Sequence, residues 1–322
     1  MKFSDGMKHF KRAAARWGMF GSAWLVQRLP FRVVKVVMQC MIFIGFRLTI
    51  RLKSIAAETL DLAFGDEKSK EEKKMIIKQC FANFGRGLVE MMYYCFHPEK
   101  VRGVFAIEGK EHLDQALQQG KGVVAVTAHF GNFPLMQLAM AQYGYPVNVV
   151  IRRVRDEKIA EFAYQMMNKS AVKPIYATPR RACVQQIIQA LRKNEIVFLL
   201  IDQNFGSDGG IFVDFFGRKS ATATGPVVIA DRTQAPIVPI FNISEPGDQH
   251  RIFIEPRFDL EPRPNQQEML QVNVSRLTQV IERYIRRYPS EWGWMHRRWK
   301  SQPVEEGVRQ RQESMNPIQQ PS

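Results

Sequence analysis

The segment Val123-Val124-Ala125-Val126-Thr127 is an apolar, mostly β-branched run that leads into Ala128-His129-Phe130-Gly131-Asn132, and an apolar helical pattern then covers residues 135–143. Such a run reads as a strand buried on both sides, followed by a tight turn and a helix. A strand of this kind needs helices above and below it, and parallel sheets supply them. The chain repeats the unit. Residues 147–151 form a second apolar strand ending at Arg152-Arg153, and residues 196–201 a third ending at Asp202-Gln203. Helical spacing recurs over residues 111–119, 159–169 and 182–193. Further strands are expected at 105–108, 237–241 and 251–256, and long helices at 71–94 and 271–287. The expected fold is α/β, a central, mostly parallel sheet flanked by helices.

Parallel strands bring their C-terminal ends to one edge of the sheet, where open α/β folds hold their ligands. His129, Arg152 and Asp202 are thereby candidates for a single crevice. An imidazole titrates near neutral pH and suits a general base. A guanidinium can grip a phosphate or a developing oxyanion bidentately. A carboxylate can orient a partner or accept a hydrogen bond. The plainer alternatives are a satisfied turn histidine and a structural ion pair at the strand ends. Other chemistries lack their signatures. Gly206-Ser207-Asp208-Gly209-Gly210 has neither P-loop nor dinucleotide spacing. No serine sits in a G-x-S-x-G elbow. Cys40, Cys80, Cys95 and Cys183 are scattered without metal-ligand spacing, which points to a reducing compartment and no structural zinc.

The formal charge is +15, and residues 1–53 carry eleven Lys/Arg against one Asp. An excess of this size implies an anionic partner. The apolar run 33–50 is interrupted by Lys35, Gln39 and Arg47, and its uncharged part, 36–46, is shorter than the about 20 residues that span a bilayer. The run starts too late for a signal peptide and has no small-residue cleavage site after it. Trp17, Phe20, Trp24 and Leu25 recur at helical spacing beside Lys8, Lys11, Arg12 and Arg16. This pattern predicts basic amphipathic helices lying on an anionic membrane surface. The alternative is an ordinary core helix with a solvated basic face. Nucleic acid is not expected as a partner, because no helix-turn-helix, zinc finger or RNA-binding motif accompanies the charge. Residues 1–55 read as a membrane anchor, 56–300 as the α/β domain, and 301–322, rich in Gln, Pro and Glu, as a disordered tail.

Several blocks carry a resemblance. They are His129-Phe130-Gly131-Asn132, Arg152, Asp202-Gln203, residues 209–213, Phe215-Phe216-Gly217, Ala223-Thr224-Gly225-Pro226, residues 235–239 and the closing run 288–300 (YPSEWGWMHRRWK). From about Leu29 to Lys300 the chain resembles the late acyltransferases of lipid A biosynthesis, the lauroyl/myristoyl group of the lysophospholipid acyltransferase superfamily. The resemblance implies transfer of a fatty acyl chain from acyl carrier protein to a hydroxyl of a lipid A precursor, at the cytoplasmic face of the bacterial inner membrane. A phospholipid or another glycolipid is the alternative acceptor. His129 would deprotonate the hydroxyl, and Arg152 or backbone N–H groups would hold the oxyanion. Gly131, Asn132, Gln203, Arg153, Arg297 and Arg298 are the candidates for substrate binding, with Trp292, Trp294 and Trp299 packed or at the interface. No metal or organic cofactor is implied.

One departure matters. The family places Glu or Asp five positions after its histidine, and that position here is Pro134. A proline can neither orient an imidazole nor stabilise its charge. Three accounts are open: another acid, with Asp202 the candidate, takes the role; the histidine works alone; or the chain has lost the reaction and kept lipid or carrier binding. A milder departure is Asn168, which lies near the place of a family arginine.

Overall fold

The computed structural model describes residues 18, 20–21, 23–24, 26–154, 156–206 and 210–303. Trp17, Leu25 and the basic residues 8–16 lie outside them, as does most of the tail. After the helical residues described between 18 and 28 come three helices: α1 (Phe31–Leu48), α2 (Ile50–Phe64) and α3 (Lys70–Phe96). Helix α3 starts at a capping box, in which the Ser69 hydroxyl accepts from the Glu72 N–H and Glu72 accepts from the Ser69 N–H. There follow β1 (Phe105–Glu108), α4 (Lys110–Gln118), β2 (Val123–Thr127), α5 (Phe133–Gln142), β3 (Val147–Ile151), α6 (Glu157–Lys169), β4 (Lys173–Tyr176), α7 (Arg180–Arg192) and β5 (Ile196–Leu200). The hairpin β6 (Gly210–Phe215) and β7 (Arg218–Ala223), then α8 (Gly225–Thr233), β8 (Ile237–Glu245), β9 (Gln249–Ile254) and α9 (Gln266–Arg287) complete the order.

Seven strands form one sheet in the order β1-β9-β8-β2-β5-β3-β4. Strands β8, β2, β5, β3 and β4 are mutually parallel, and β9 turns back antiparallel to β8. The expected mostly parallel α/β sheet is therefore present. Both faces of its centre are covered. On β2, Val124 and Val126 join the cluster under α2, α7, α8 and α9, while Val123 and Ala125 join the cluster under α3, α4 and α5. This two-sided burial is why the central strands show no polar alternation.

Strand β5 lies between β2 and β3, pairing Thr127 with Leu200 and Val149 with Phe198. The C-terminal ends of β2, β5 and β3 thus emerge side by side, and these are the ends that carry His129, Asp202 and Arg152. The N-terminal segment packs onto this body. Val26 and Val34 are buried in the α3 cluster, and α2 runs through the expected boundary at residue 55, burying Ala56, Leu60 and Phe64 in the other. Among the described residues no helix is long and apolar enough to cross a membrane.

Candidate active site

His129 sits two residues past β2, and its backbone and side chain are fixed by the same carboxylate. The His129 N–H donates to Asp202 Oδ2 at 2.9 Å, and His129 Nδ1 lies 2.9 Å from Asp202 Oδ1. The side chain of Asp202 is fully buried and that of His129 is 33% exposed. Trp292 supplies a third bond, its indole Nε1–H donating to Asp202 Oδ2 at 2.8 Å. Burial alone would push the Asp202 carboxyl up, yet the His129 imidazole, the His296 imidazole and these donors hold it well below the usual carboxylate range. Burial alone would likewise lower the His129 pKa. The charge of Asp202 and the hydrogen bond to it outweigh burial, and the imidazole ends above its ordinary value. An ionised acid at Nδ1 keeps the proton there and leaves Nε2 with the lone pair a base needs.

The turn after His129 depends on one glycine. Gly131 has φ +58°, and a Cβ built on it would lie 2.1 Å from the backbone oxygen of Asn242. Only glycine meets both demands. Its N–H donates to the Glu291 carbonyl at 2.8 Å, and the Gly293 N–H donates to the His129 carbonyl at 3.0 Å. Residues 129–131 are thus zipped to the closing segment as a short antiparallel bridge, recorded at Phe130 and Trp292. Since the N–H groups of His129 and Gly131 are both committed, neither is free to hold an oxyanion.

The remaining expected residues divide. Arg152 and Arg153 are exposed where β3 ends, and Gln203 is exposed beside Asp202. Asn132 is buried and has a folding task. It caps α5 by accepting from the Leu135 N–H at 3.3 Å, and its amide donates to Gly87 O and to the buried Glu90 at 3.1 Å. Arg297 is exposed, 3.7 Å from Glu58. Arg298 does not face a substrate. It is 0% exposed and donates to Gln203 O at 3.0 Å, to Ala221 O at 2.6 Å and to the Thr222 hydroxyl, with its guanidinium over the Phe215 ring. Burial pushes its pKa down to about 10. It pins the β6–β7 hairpin to the loop that carries Asp202. Trp292, Trp294 and Trp299 are core residues, packed on Phe215 and Phe216 of the hairpin.

Sequence reasoning did not find the part played by Trp292, which lies 90 positions from Asp202 and whose donor role follows from packing alone. The cap at Asn132 was legible, since Asn followed closely by Pro at a helix start is a recognised signal. Pro134 lies in the first turn of α5, where a missing N–H costs nothing. Among the described residues no group of three or more His, Cys, Asp or Glu could hold a metal ion.

A one-third exposed imidazole at the C-terminal edge of a parallel sheet, backed by a buried acid, is an arrangement that can serve as a general base on an α/β scaffold. Residues 1–301 match the family described as bacterial lipid A biosynthesis acyltransferase. The chain belongs to that family and is an acyltransferase. It is similar to the lipid A biosynthesis palmitoleoyltransferase of Escherichia coli K12, with 29% identity across 95% of this chain and 97% of the relative. It is also similar to the lipid A biosynthesis lauroyltransferase of the same strain, with 26% identity over the same shares of the two chains. A phosphatidylinositol mannoside acyltransferase of Mycolicibacterium smegmatis matches at 24% identity over 59% of this chain and 60% of its own.

Proposed function

We propose that the enzyme moves a fatty acyl chain from the thioester of acyl carrier protein to a hydroxyl of a lipid A precursor or a related glycolipid, at the cytoplasmic face of the bacterial inner membrane. The observation that carries this reading is the pairing of His129 Nδ1 with buried Asp202, in a chain of this family. The pairing supplies the acid that Pro134 lacks, which favours an active enzyme over a silent lipid-binding member.

The acceptor hydroxyl approaches the exposed side of His129. Nε2 takes its proton while the oxygen attacks the thioester carbonyl. The carbonyl π electrons move to oxygen and form a tetrahedral oxyanion. The C–S bond then breaks, the ester forms, and the thiolate recovers the proton from Nε2. Asp202 stabilises the imidazolium between the two proton transfers. With the His129 and Gly131 N–H groups committed, Arg152 is the side-chain candidate for the oxyanion.

The N-terminal helices support the membrane part of the reading. Val33, Val36, Val37, Ile44 and Leu48 form an exposed apolar stripe on α1, and Trp24 before it, Ile50 and Leu52 after it, and Phe84 and Leu88 on α3 are exposed as well. Arg28, Arg32, Arg47 and Arg51 flank the stripe, as an interfacial helix requires. The test combines purified wild type, acylated carrier protein and a lipid A precursor, with mass spectrometry of the product. One added acyl chain, absent with His129→Ala, is expected. No transfer to any glycolipid or phospholipid acceptor by wild type would refute the reading.

A further inference from the structure

Four arginines crowd the β3–β4 end of the catalytic edge. Arg152 and Arg153 leave β3, and Arg180 and Arg181 form the first turn of α7, just past β4. Strands β3 and β4 are neighbours, with Ile151 opposite Tyr176, and the Ala177 N–H donates to the Ile151 carbonyl at 2.8 Å. The two arginine pairs therefore belong to one surface. All four are exposed, and among the described residues none of them forms an ion pair. The acids nearby are Asp156, which caps α6, and Glu157 in its first turn.

Arg180 and Arg181 are badly placed for folding. The first turn of a helix is the positive end of its dipole, where each cation costs about 0.3–1 kcal/mol. Helix α7 has no acid in that turn, and Pro179 provides no side-chain cap. A pair of cations at such a position creates a concentrated field over the edge rather than stability. The field also lies at a defined distance from the base. Strands β2, β5, β3 and β4 are successive, so Arg153 leaves a strand two spacings, and Arg180 and Arg181 follow a strand three spacings, of about 4.8 Å from the strand that ends at His129.

We propose that Arg153, Arg180 and Arg181 form the docking face for the acidic surface of the carrier protein that delivers the acyl thioester. This rests on the reading of a carrier-bound thioester as donor. A thioester on a flexible prosthetic arm must be released from a carrier seated away from the base, and a basic face offset along the same edge meets that need. Electrostatic docking of this kind acts mainly on the encounter rate and fades with salt.

The test is the double variant Arg180→Glu/Arg181→Glu in the full chain. Acidic residues suit a helix start, so its melting temperature should equal or exceed that of wild type. At low ionic strength kcat/KM for acyl carrier protein should fall about 10- to 100-fold, and the gap should narrow at high salt. Transfer from S-acyl-pantetheine, which has no carrier body, and KM for the lipid acceptor should stay within about twofold, since the docking arginines lie off the catalytic groups. Unchanged carrier kinetics would overturn the proposal. So would an equal loss with both donors, or a raised acceptor KM, which would assign the patch to lipid phosphates. Wild type that uses acyl-pantetheine but never the carrier thioester would sink the donor reading itself, and that result is seen without the variant.

Discussion

Asp202→Asn separates the catalytic role of the acid from its structural one. Asp202 Oδ2 accepts two N–H groups, from the His129 backbone and from Trp292, and Oδ1 faces His129 Nδ1. An asparagine has one acceptor oxygen. If its nitrogen replaced Oδ2, two donors would face a donor. The amide will therefore turn its oxygen to the Oδ2 place and its NH2 toward Nδ1. All three contacts survive, but Nδ1 must then accept and the proton moves to Nε2, the atom that has to take one. The expected loss in kcat is about 10⁴-fold, as for the same exchange in a Ser-His-Asp enzyme. Stability should fall by less than about 1.5 kcal/mol. Asp202→Ala makes the contrast. It strands two buried donors at about 1–3 kcal/mol each and should lose several kcal/mol as well as activity. Transfer rates from an acyl carrier thioester and chemical denaturation of both variants provide the readings. Residual activity of Asp202→Asn should also show its acid limb at lower pH than wild type. The carboxylate raises the His129 pKa against burial, and without it burial lowers that pKa. An Asp202→Asn enzyme within about tenfold of wild-type kcat would refute the assignment of Asp202 to the base, given that a positioned base is worth about 10²–10⁴.

Three further outcomes follow from the same geometry. Trp292→Phe keeps an aromatic ring but removes one hydrogen bond to a charged acceptor, about 1.5–3 kcal/mol. Its kcat should drop about tenfold, and with the negative charge less dispersed the acid limb of the pH profile should rise; an unmoved limb would make Trp292 a packing residue only. Pro134→Glu places an acid where the resemblance implies one, yet Asp202 already occupies Nδ1, so kcat should stay within about threefold, far below the effect of a positioned acid or base; a tenfold gain would show that His129 now works without a partner. Arg298→Met should lower stability by about 3 kcal/mol by stranding the acceptors at Gln203, Ala221 and Thr222. Acceptor KM should not change, and a large rise in it would return Arg298 to substrate binding.

The central strands were legible because burial on both faces leaves no polar alternation to confuse the pattern. The short edge strand β4 was not. It holds Lys173 and Pro174 among four residues, a composition that an edge tolerates and a pattern does not reveal. The hairpin β6–β7 was hidden in the same way, although Phe216-Gly217 between its strands takes positive φ at both positions, as a tight hairpin turn needs. At the site, the strand ends and Asp202 as a candidate acid for His129 were readable, but which of the open accounts held was not. His129 and Asp202 meet because β5 inserts beside β2, and strand order is a property of the packed sheet. Arg298 misled for a different reason. A cation in a basic run reads as a contact for an anionic substrate, and here the hairpin closes over it.

The acid that holds the base in place stands at the end of a neighbouring strand, with a proline and no acid in the first turn of α5. A carboxylate five positions after the histidine would project from the first turn of α5, so its aim would depend on the same turn that aims the imidazole. Asp202 is anchored independently, at the end of a buried strand, and it grips both the ring and the backbone N–H of His129. The first turn of α5 is then free of catalytic duty. Pro134 can take the helix-start position that suits a residue without an N–H, and Asn132 can cap the helix while its amide reaches Glu90 on α3. The carboxylate draws in turn on the far end of the chain. A buried carboxylate with unfilled lone pairs would be expensive, and the Trp292 indole supplies the missing donor from the core formed by the hairpin and the closing segment. The Phe-Phe-Gly turn and the closing tryptophans, far apart in sequence from the histidine, thus act on the base through Trp292, which holds the carboxylate that holds His129.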